Sequence, residues 1–121
     1  MNDDVQVVPT EWFVRDVRRL SANLRARVDR RIRELGKKGW VASARSRDVA
    51  ELDDGIWELR VLGQGTAFRV LFFLDPRYPG RRVVLMACVA KASMKKAHVM
   101  TSEIERAKAR RAQWLPQEMT R

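Results

Sequence analysis

The sequence predicts an α+β protein, in which an N-terminal helical hairpin packs on a small, mostly antiparallel β-sheet and a C-terminal helix follows. Three observations indicate this fold. Apolar residues recur at helical spacing near the N-terminus, β-type runs separated by turn residues come next, and a further helical segment ends the chain. A chain of 121 residues can bury a single modest core, so we expect one domain over residues 1–121.

The beginning of the chain predicts a short strand and the first helix. Residues 5–8 are mostly apolar and β-branched, and Pro9 should stop this strand. Thr10 is a suitable N-cap, and Glu11 adds negative charge to the first turn of the helix. We expect that helix to run to about Leu20.

The second helix carries a clear helical period. Its apolar residues recur at spacings of three and four: Leu24, Val28, Ile32 and Leu35. Ser21 can cap its start, and Gly36 and Gly39 should end it. Residues 40–47 show no such period, and we expect a loop there.

The middle of the chain predicts the strands of the sheet. Residues 48–52 form a short strand that leads into a turn at residues 53–55. After the hairpin described next, residues 75–80 form a second turn. Residues 82–89 are a continuous apolar run, which is typical of a buried strand.

Two β-type runs on either side of Gly63-Gln64-Gly65-Thr66 predict a hairpin. If Leu62 faces Ala67 across an even-numbered turn, Arg60 stands directly opposite Arg69. Opposed like charges are unfavourable on a sheet, so the pair needs a compensating group. Two explanations are open: both arginines bind one anion, or each pairs with a carboxylate such as that of Glu58.

A basic segment follows the last strand and leads into the C-terminal helix. Four of its residues have functional potential: Lys91, Lys95, Lys96 and His98. Thr101 or Ser102 should cap the helix, and Pro116 should end it.

The charge balance indicates a polyanionic partner. The chain has 25 Lys and Arg residues against 15 Asp and Glu residues, a formal net charge of +10. This balance favours nucleic acid or an acidic protein over a membrane surface, because no basic helix has a long apolar face. A single histidine and a single cysteine cannot form a zinc site or an internal disulfide. The sequence has no signal peptide or membrane-spanning run, so a cytoplasmic protein is expected.

Basic residues are concentrated on the two helices and the segment after them. Twelve lysines and arginines lie there: Arg15, Arg18, Arg19, Arg25, Arg27, Arg30, Arg31, Arg33, Lys37, Lys38, Arg45 and Arg47. Together they suggest a track for a phosphate backbone, although each one alone is also typical of a solvated helix surface.

The hairpin carries a resemblance to a known family. Asp54-Gly55-Ile56-Trp57-Glu58-Leu59-Arg60, followed by Phe68-Arg69-Val70-Leu71-Phe72-Phe73, resembles the core pattern of the RelE/HigB superfamily, in particular its phage Gp49-like HigB branch. The order of strand, helical hairpin, strands, basic segment and last helix agrees over most of the chain. The resemblance implies a RelE-like fold.

The resemblance also implies a function. Family members are toxins of type II toxin–antitoxin modules, which cut mRNA in the ribosomal A site without a metal or other cofactor. A cognate antitoxin, usually of helix-turn-helix type, neutralises them. The implied partners are therefore an antitoxin, the ribosome and mRNA. The alternative is a RelE-fold module that binds nucleic acid or antitoxin without cleavage.

The family pattern assigns candidate roles to four residues. Arg69 would contact the reacting phosphate, and Arg60 would support this contact from the adjacent strand. Lys91 would bind the same phosphate or a flanking one. His98 is a candidate general acid or base, although an exposed turn histidine is the simpler interpretation.

Six further residues are candidates for RNA or ribosome binding: Lys37, Lys38, Arg45, Arg47, Lys95 and Lys96. The sequence also departs from the family pattern after the last strand. Ala92 replaces a basic residue, and Lys96-Ala97 stands where Thr-Pro is common.

Overall fold

A computed structural model describes residues 5–62, 67–90 and 97–119, and confirms the α+β architecture. The elements follow in this order: β1 (Gln6–Pro9), α1 (Glu11–Arg18), α2 (Ala22–Lys38), α3 (Trp40–Arg45), β2 (Val49–Asp53), β3 (Ile56–Leu62), β4 (Ala67–Leu74), β5 (Arg82–Ala90) and α4 (Ala97–Met119).

The strands form one sheet with the order β1-β5-β4-β3-β2. The pairs β2–β3, β3–β4 and β4–β5 are antiparallel, and β1 joins the edge of β5 in parallel. The prediction of a mostly antiparallel sheet is therefore confirmed. The order also places the β3–β4 hairpin in the interior of the sheet, with β2 as its short outer neighbour.

Both faces of the sheet are covered. On one face, Val28 and Leu35 of α2 pack against a buried cluster that includes Leu59, Val70 and Phe72. On the other face, Ile104 and Ala107 of α4 join a second cluster that has Ile56, Leu71 and Phe73 at its centre. Residues alternate between the two faces because successive side chains of a strand point in opposite directions.

The predicted helix starts are confirmed at the first two helices. The Thr10 hydroxyl accepts a hydrogen bond from the Phe13 amide, and the Ser21 hydroxyl accepts one from the Leu24 amide. Each bond satisfies an amide that has no partner inside its own helix. Gly39 ends α2 with φ of 86°, a conformation that favours glycine, whereas Gly36 lies inside the helix.

The loop predicted at residues 40–47 is wrong, because Trp40–Arg45 form the short helix α3. Its stability comes from packing that no local pattern reveals. The ring centroid of Trp40 lies 4.7 Å from that of Trp57 and 6.0 Å from that of Phe72, in edge-to-face geometry. Tertiary packing of Trp40 thus stabilises a short helix that the sequence period does not predict.

The predicted ends of the last helix are also wrong. α4 begins at Ala97, before Thr101 and Ser102, and it continues past Pro116 to Met119. No glycine or proline lies between residues 97 and 101, so nothing in the backbone chemistry prevents an earlier start. The indole of Trp114 packs 5.8 Å from Phe73, which anchors the last turns on the sheet.

The outer edge of β5 beyond the β1 pairing is closed by side chains. An extra residue at Met86 bulges from the strand, because Leu71 pairs with Ala87 while the next residue pairs with Leu85. Asp16 of α1 accepts a hydrogen bond from the Cys88 amide at 3.0 Å. Arg110 of α4 donates to the Met86 carbonyl at 3.1 Å, so this edge has little capacity to pair with another strand.

None of the described helices is both long enough and apolar enough to cross a membrane.

Candidate nucleic-acid interface

An open, basic groove lies where the β3–β4 hairpin extends beyond β2. It has a volume of about 740 Å³ and is lined by Arg31, Arg47, Asp48, Arg60, Leu62, Ala67, Phe68 and Arg69. Four arginines face one aspartate there, so the lining is strongly positive. Such a groove attracts anions, and the fork of each guanidinium matches the oxygens of a phosphate.

The predicted pairing of the two hairpin arginines is confirmed. Arg60 of β3 is the direct partner of Arg69 of β4, and Leu62 is the partner of Ala67. Directly opposed side chains on antiparallel strands have Cβ atoms only about 5 Å apart, so both guanidinium groups can reach one ligand. The turn residues 63–66 that were used to predict this register lie outside the described residues.

Glu58 lies between the two arginines and compensates their repulsion. Its Oε1 accepts a hydrogen bond from Arg60 Nε at 3.2 Å, and its Oε2 lies 3.1 Å from Arg69 Nε. The glutamate is buried, whereas the Arg60 side chain is 59% exposed and that of Arg69 is 20% exposed. The pairing with a carboxylate, one of the two explanations that the sequence leaves open, is therefore confirmed for Glu58.

The second contact is electrostatic and is not an aligned hydrogen bond. The N–H bond of Arg69 Nε does not point at Oε2 of Glu58. This oxygen is buried and accepts no hydrogen bond from the described residues. Both contacts use the Nε atom. Within the described part of the chain, no outer nitrogen of Arg60 or Arg69 donates a hydrogen bond to an acid.

Arg31 of α2 closes one side of the groove. Its Nε donates to the Arg60 carbonyl at 3.2 Å, and its outer nitrogens lie 3.3 Å from Glu34 and 3.5 Å from Asp48. The sequence placed Arg31 among the basic helix residues but did not single it out. It lies 29 positions before Arg60, and only the fold brings the two together.

A family comparison decides what kind of protein contains this groove. Residues 15–112, most of the chain, match the model of the family described as phage derived protein Gp49-like. The chain belongs to the Gp49-like family of RelE/HigB-type toxins. The resemblance inferred from the hairpin motif is thereby confirmed.

A chain in the crystal structure of the toxin–antitoxin complex RelBE2 from Mycobacterium tuberculosis is similar, with 20% sequence identity and a TM-score of 0.45. The similarity covers 71% of this chain and 96% of that chain. No curated protein sequence matches this chain.

In this Gp49-like toxin, Asp48 is the acidic group at the rim of the groove. Lys38 Nζ and the Ser46 hydroxyl donate hydrogen bonds to its Oδ2 at 2.8 and 2.9 Å. The hydrogen bond from Lys38 is the main cause that holds the pKa of Asp48 below its usual value, against the effect of burial. Asp48 therefore stays ionised, and the Lys38 ammonium group is engaged in an intramolecular ion pair.

The basic residues predicted around the site differ in their placement. Arg47 is exposed, lines the groove and has a left-handed backbone with φ of 63°. Lys37 and Arg45 are exposed but do not line the groove. Lys38, as described above, is bound to Asp48.

Four predicted residues cannot be placed in the groove. Lys91, Lys95 and Lys96 lie outside the described residues. His98 belongs to the first turn of α4, but its side chain also lies outside what the structure describes. Their assignment stays a prediction.

Three apolar residues also line the groove of the Gp49-like toxin, Leu62, Ala67 and Phe68, and the sequence assigned none of them to a functional site. Leu62 is 76% exposed, and Phe68 lies buried beneath the same end of the hairpin. An exposed leucine among arginines offers an apolar surface to a base or to a protein side chain.

The chain's single thiol is not part of this chemistry. Burial raises the pKa of Cys88 to about 12, and the charge of Asp16 acts in the same direction. The thiol is therefore protonated and unreactive.

Among the described residues, no group of three or more His, Cys, Asp and Glu side chains is placed to hold a metal ion.

Proposed function

We propose that this Gp49-like toxin is a type II toxin that cuts mRNA on the ribosome as an endoribonuclease. The observation that supports it is the Arg60–Arg69 pair, which stands side by side in a groove that two further arginines line. Such an arrangement suits a phosphate at which negative charge develops.

The proposed reaction uses the RNA's own 2′-hydroxyl. Its oxygen forms a bond to the adjacent phosphorus while its proton passes to a base, and the bond from phosphorus to the 5′-oxygen breaks. The leaving oxygen takes up a proton, which gives a 2′,3′-cyclic phosphate and a 5′-hydroxyl. Arg69 would stabilise the charge on the phosphorane, Arg60 would support it, and Lys91 and His98 would supply a further cation and a proton carrier.

The same groove and its surroundings would dock the RNA and the ribosome. Among the candidates, Lys37, Arg45 and Arg47 are exposed. Lys95 and Lys96 would extend this surface. A net charge of +10 also supports an acidic antitoxin segment, in a partner of helix-turn-helix type, as the group that neutralises the toxin. Ribosome and mRNA as targets imply a cytoplasmic site of action.

Primer extension on an mRNA tests the activity. We expect new 5′ ends that appear only with translating ribosomes and in register with codons. Arg69→Ala should reduce cleavage by about 10²–10³-fold, the usual loss when one group that stabilises developing charge is removed. It should also relieve growth arrest in cells.

Arg33→Ala is the matched control for this substitution. Arg33 is an exposed arginine of α2 that pairs with Asp29 and does not line the groove. It should leave cleavage and growth arrest unchanged. If Arg69→Ala stays fully toxic, the site assignment is wrong, and if a folded wild-type sample gives no cuts, the nuclease proposal is wrong.

One observation favours a second function, binding without cleavage. Both acids at the groove are held by cations, Glu58 by the two hairpin arginines and Asp48 by Lys38 and Arg31. In the described part of the chain, neither is free to act as a base. Salt-dependent RNA binding by a folded protein that gives no new 5′ ends would support this alternative.

A further inference from the structure

Glu58 has an unusual environment for a buried acid. It lies on the same sheet face as Arg60 and Arg69, and each of its oxygens meets one guanidinium Nε. A buried carboxylate is costly unless cations and hydrogen bonds compensate it. Here the compensation is incomplete, because Oε2 has no aligned donor among the described residues. A carboxylate retained under these conditions calls for an explanation beyond stability.

The geometry of the contacts suggests that explanation. A carboxylate that served only to bind an arginine would favour the bidentate fork, in which two nitrogens of one guanidinium, at least one of them an outer nitrogen, donate to its two oxygens. Asp75 makes such a contact, with Arg77 Nη2 at 2.8 Å and Nε at 3.1 Å. The shortest contacts of Glu58 are instead with Nε of two different arginines, one for each carboxylate oxygen.

We propose that Glu58 is a positioning residue, which holds Arg60 and Arg69 by their Nε atoms so that their outer nitrogens are directed together at one RNA phosphate. This inference rests on the proposed function of the groove and deepens it. Glu58 itself does not touch the RNA. It converts two mutually repelling side chains into a single preorganised anion site.

Glu58→Gln tests the proposal because it keeps the size of the side chain. The amide presents one oxygen and one NH₂ group, so only one of the two Nε–H groups retains an acceptor. At least one guanidinium must then leave its position. The substitution also removes a negative charge from beside the groove, so simple electrostatics predicts stronger RNA binding.

The expected result is a divergence between binding and cleavage. Glu58→Gln should bind an uncleavable 2′-O-methyl RNA at least as tightly as wild type. Its kcat on ribosome-bound mRNA should fall by about 100-fold, the scale of loss when a catalytic group is misplaced by an ångström. A purely structural role would not produce this divergence, since it would reduce binding and cleavage together with the folded fraction.

Asp75→Asn is the matched control. Asp75 is also a buried acid between two arginines, Arg77 and Arg82, but it follows the far end of β4. Asp75 is six positions after Arg69 along an extended strand, which places their Cα atoms about 20 Å apart. The substitution should lower stability and leave cleavage per folded molecule unchanged.

Two outcomes would overturn the inference while the nuclease function stands. One is a Glu58→Gln variant that cleaves as fast as wild type. The other is a variant that loses binding and cleavage in the same proportion as Asp75→Asn loses folded protein.

A third measurement separates failure of the inference from failure of the proposed function. Inorganic phosphate is added to the folded protein, and the Nε–H signals of Arg60 and Arg69 are followed by NMR. In wild type we expect both signals to shift together, and in Glu58→Gln at least one shift should be lost. If wild type cuts no RNA, this result still decides the role of Glu58, and unchanged shifts in the variant would refute it.

Discussion

Buried acids in this toxin are held by arginines, and Asp75 is the clearest example. It is fully buried after β4, where it accepts hydrogen bonds from the amide and guanidinium of Arg77 and one from Arg82. Arg82 in turn lies 3.8 Å over the ring of Tyr78. Burial raises the pKa of Asp75, but the hydrogen bonds from the Arg77 side chain and backbone outweigh it and hold this pKa below its usual value. The turn that joins β4 to β5 thus depends on one ionised carboxylate.

This dependence predicts a loss of stability in acid. Because the pKa of Asp75 is lowered by folding, its contribution is fully present above the unfolded value of about 3.9 and is lost as pH falls through the folded value. Asp75→Asn should cost about 3 kcal/mol at neutral pH and flatten the decline of stability below about pH 4. Urea denaturation over a pH series measures both effects.

Asp29→Asn is the control, since Asp29 forms an exposed pair with Arg33. An exposed pair contributes about 0–1 kcal/mol, so little change is expected. A similar loss in both variants would contradict the role given to Asp75.

At the scale of elements, α1 closes the sheet edge that β1 leaves open. Thr10 joins the helix to the sheet, because its hydroxyl caps α1 and also donates to the Leu85 carbonyl at 2.8 Å. Ser21 makes the corresponding cap for α2, but in an exposed position and with no hydrogen bond from its hydroxyl to the described part of the sheet. Both caps use a side-chain hydroxyl that accepts a hydrogen bond from a helix amide. They differ because the Thr10 hydroxyl also donates to the Leu85 carbonyl of the sheet.

This difference predicts unequal costs of removing the caps. Thr10→Ala should lower the free energy of unfolding by about 2–3 kcal/mol, through loss of the cap and of a buried hydrogen bond. Ser21→Ala should cost about 1 kcal/mol or less, through the cap alone. Urea denaturation gives both values, and equal losses would show that the bond to Leu85 adds nothing.

At the scale of the molecule, the positive charge is not simply a general property of the surface. Four arginines are gathered in one groove, and the family match places that groove in a toxin. A surface of this kind binds nucleic acid mainly by releasing counterions, so its affinity depends on salt.

The salt dependence of RNA affinity tests which cationic side chains contact the RNA phosphates. Arg47→Gly removes one groove charge and suits the left-handed backbone at that position. The slope of log affinity against log salt for single-stranded RNA should become shallower by about 0.7, the value for one phosphate contact. Fluorescence anisotropy at several salt concentrations measures this slope. Arg33→Ala, which removes an arginine outside the groove, should leave it unchanged.

The sequence by itself determined the features that depend on local periodicity and local chemistry. The apolar stripe of α2, the caps at Thr10 and Ser21, and the pairing of Arg60 with Arg69 all follow from spacings within a few residues or across one turn. These features were predictable because a helix repeats every 3.6 residues and a strand every two.

Only the tertiary structure decided which groups compensate one another across the chain. It placed Arg31 beside Arg60, placed Glu58 between the two hairpin arginines, and buried Asp75 between Arg77 and Arg82. It also formed α3 around Trp40 and extended α4 at both ends. The physical reason is that burial, packing and long-range ion pairs depend on how elements meet in space, which no local pattern specifies.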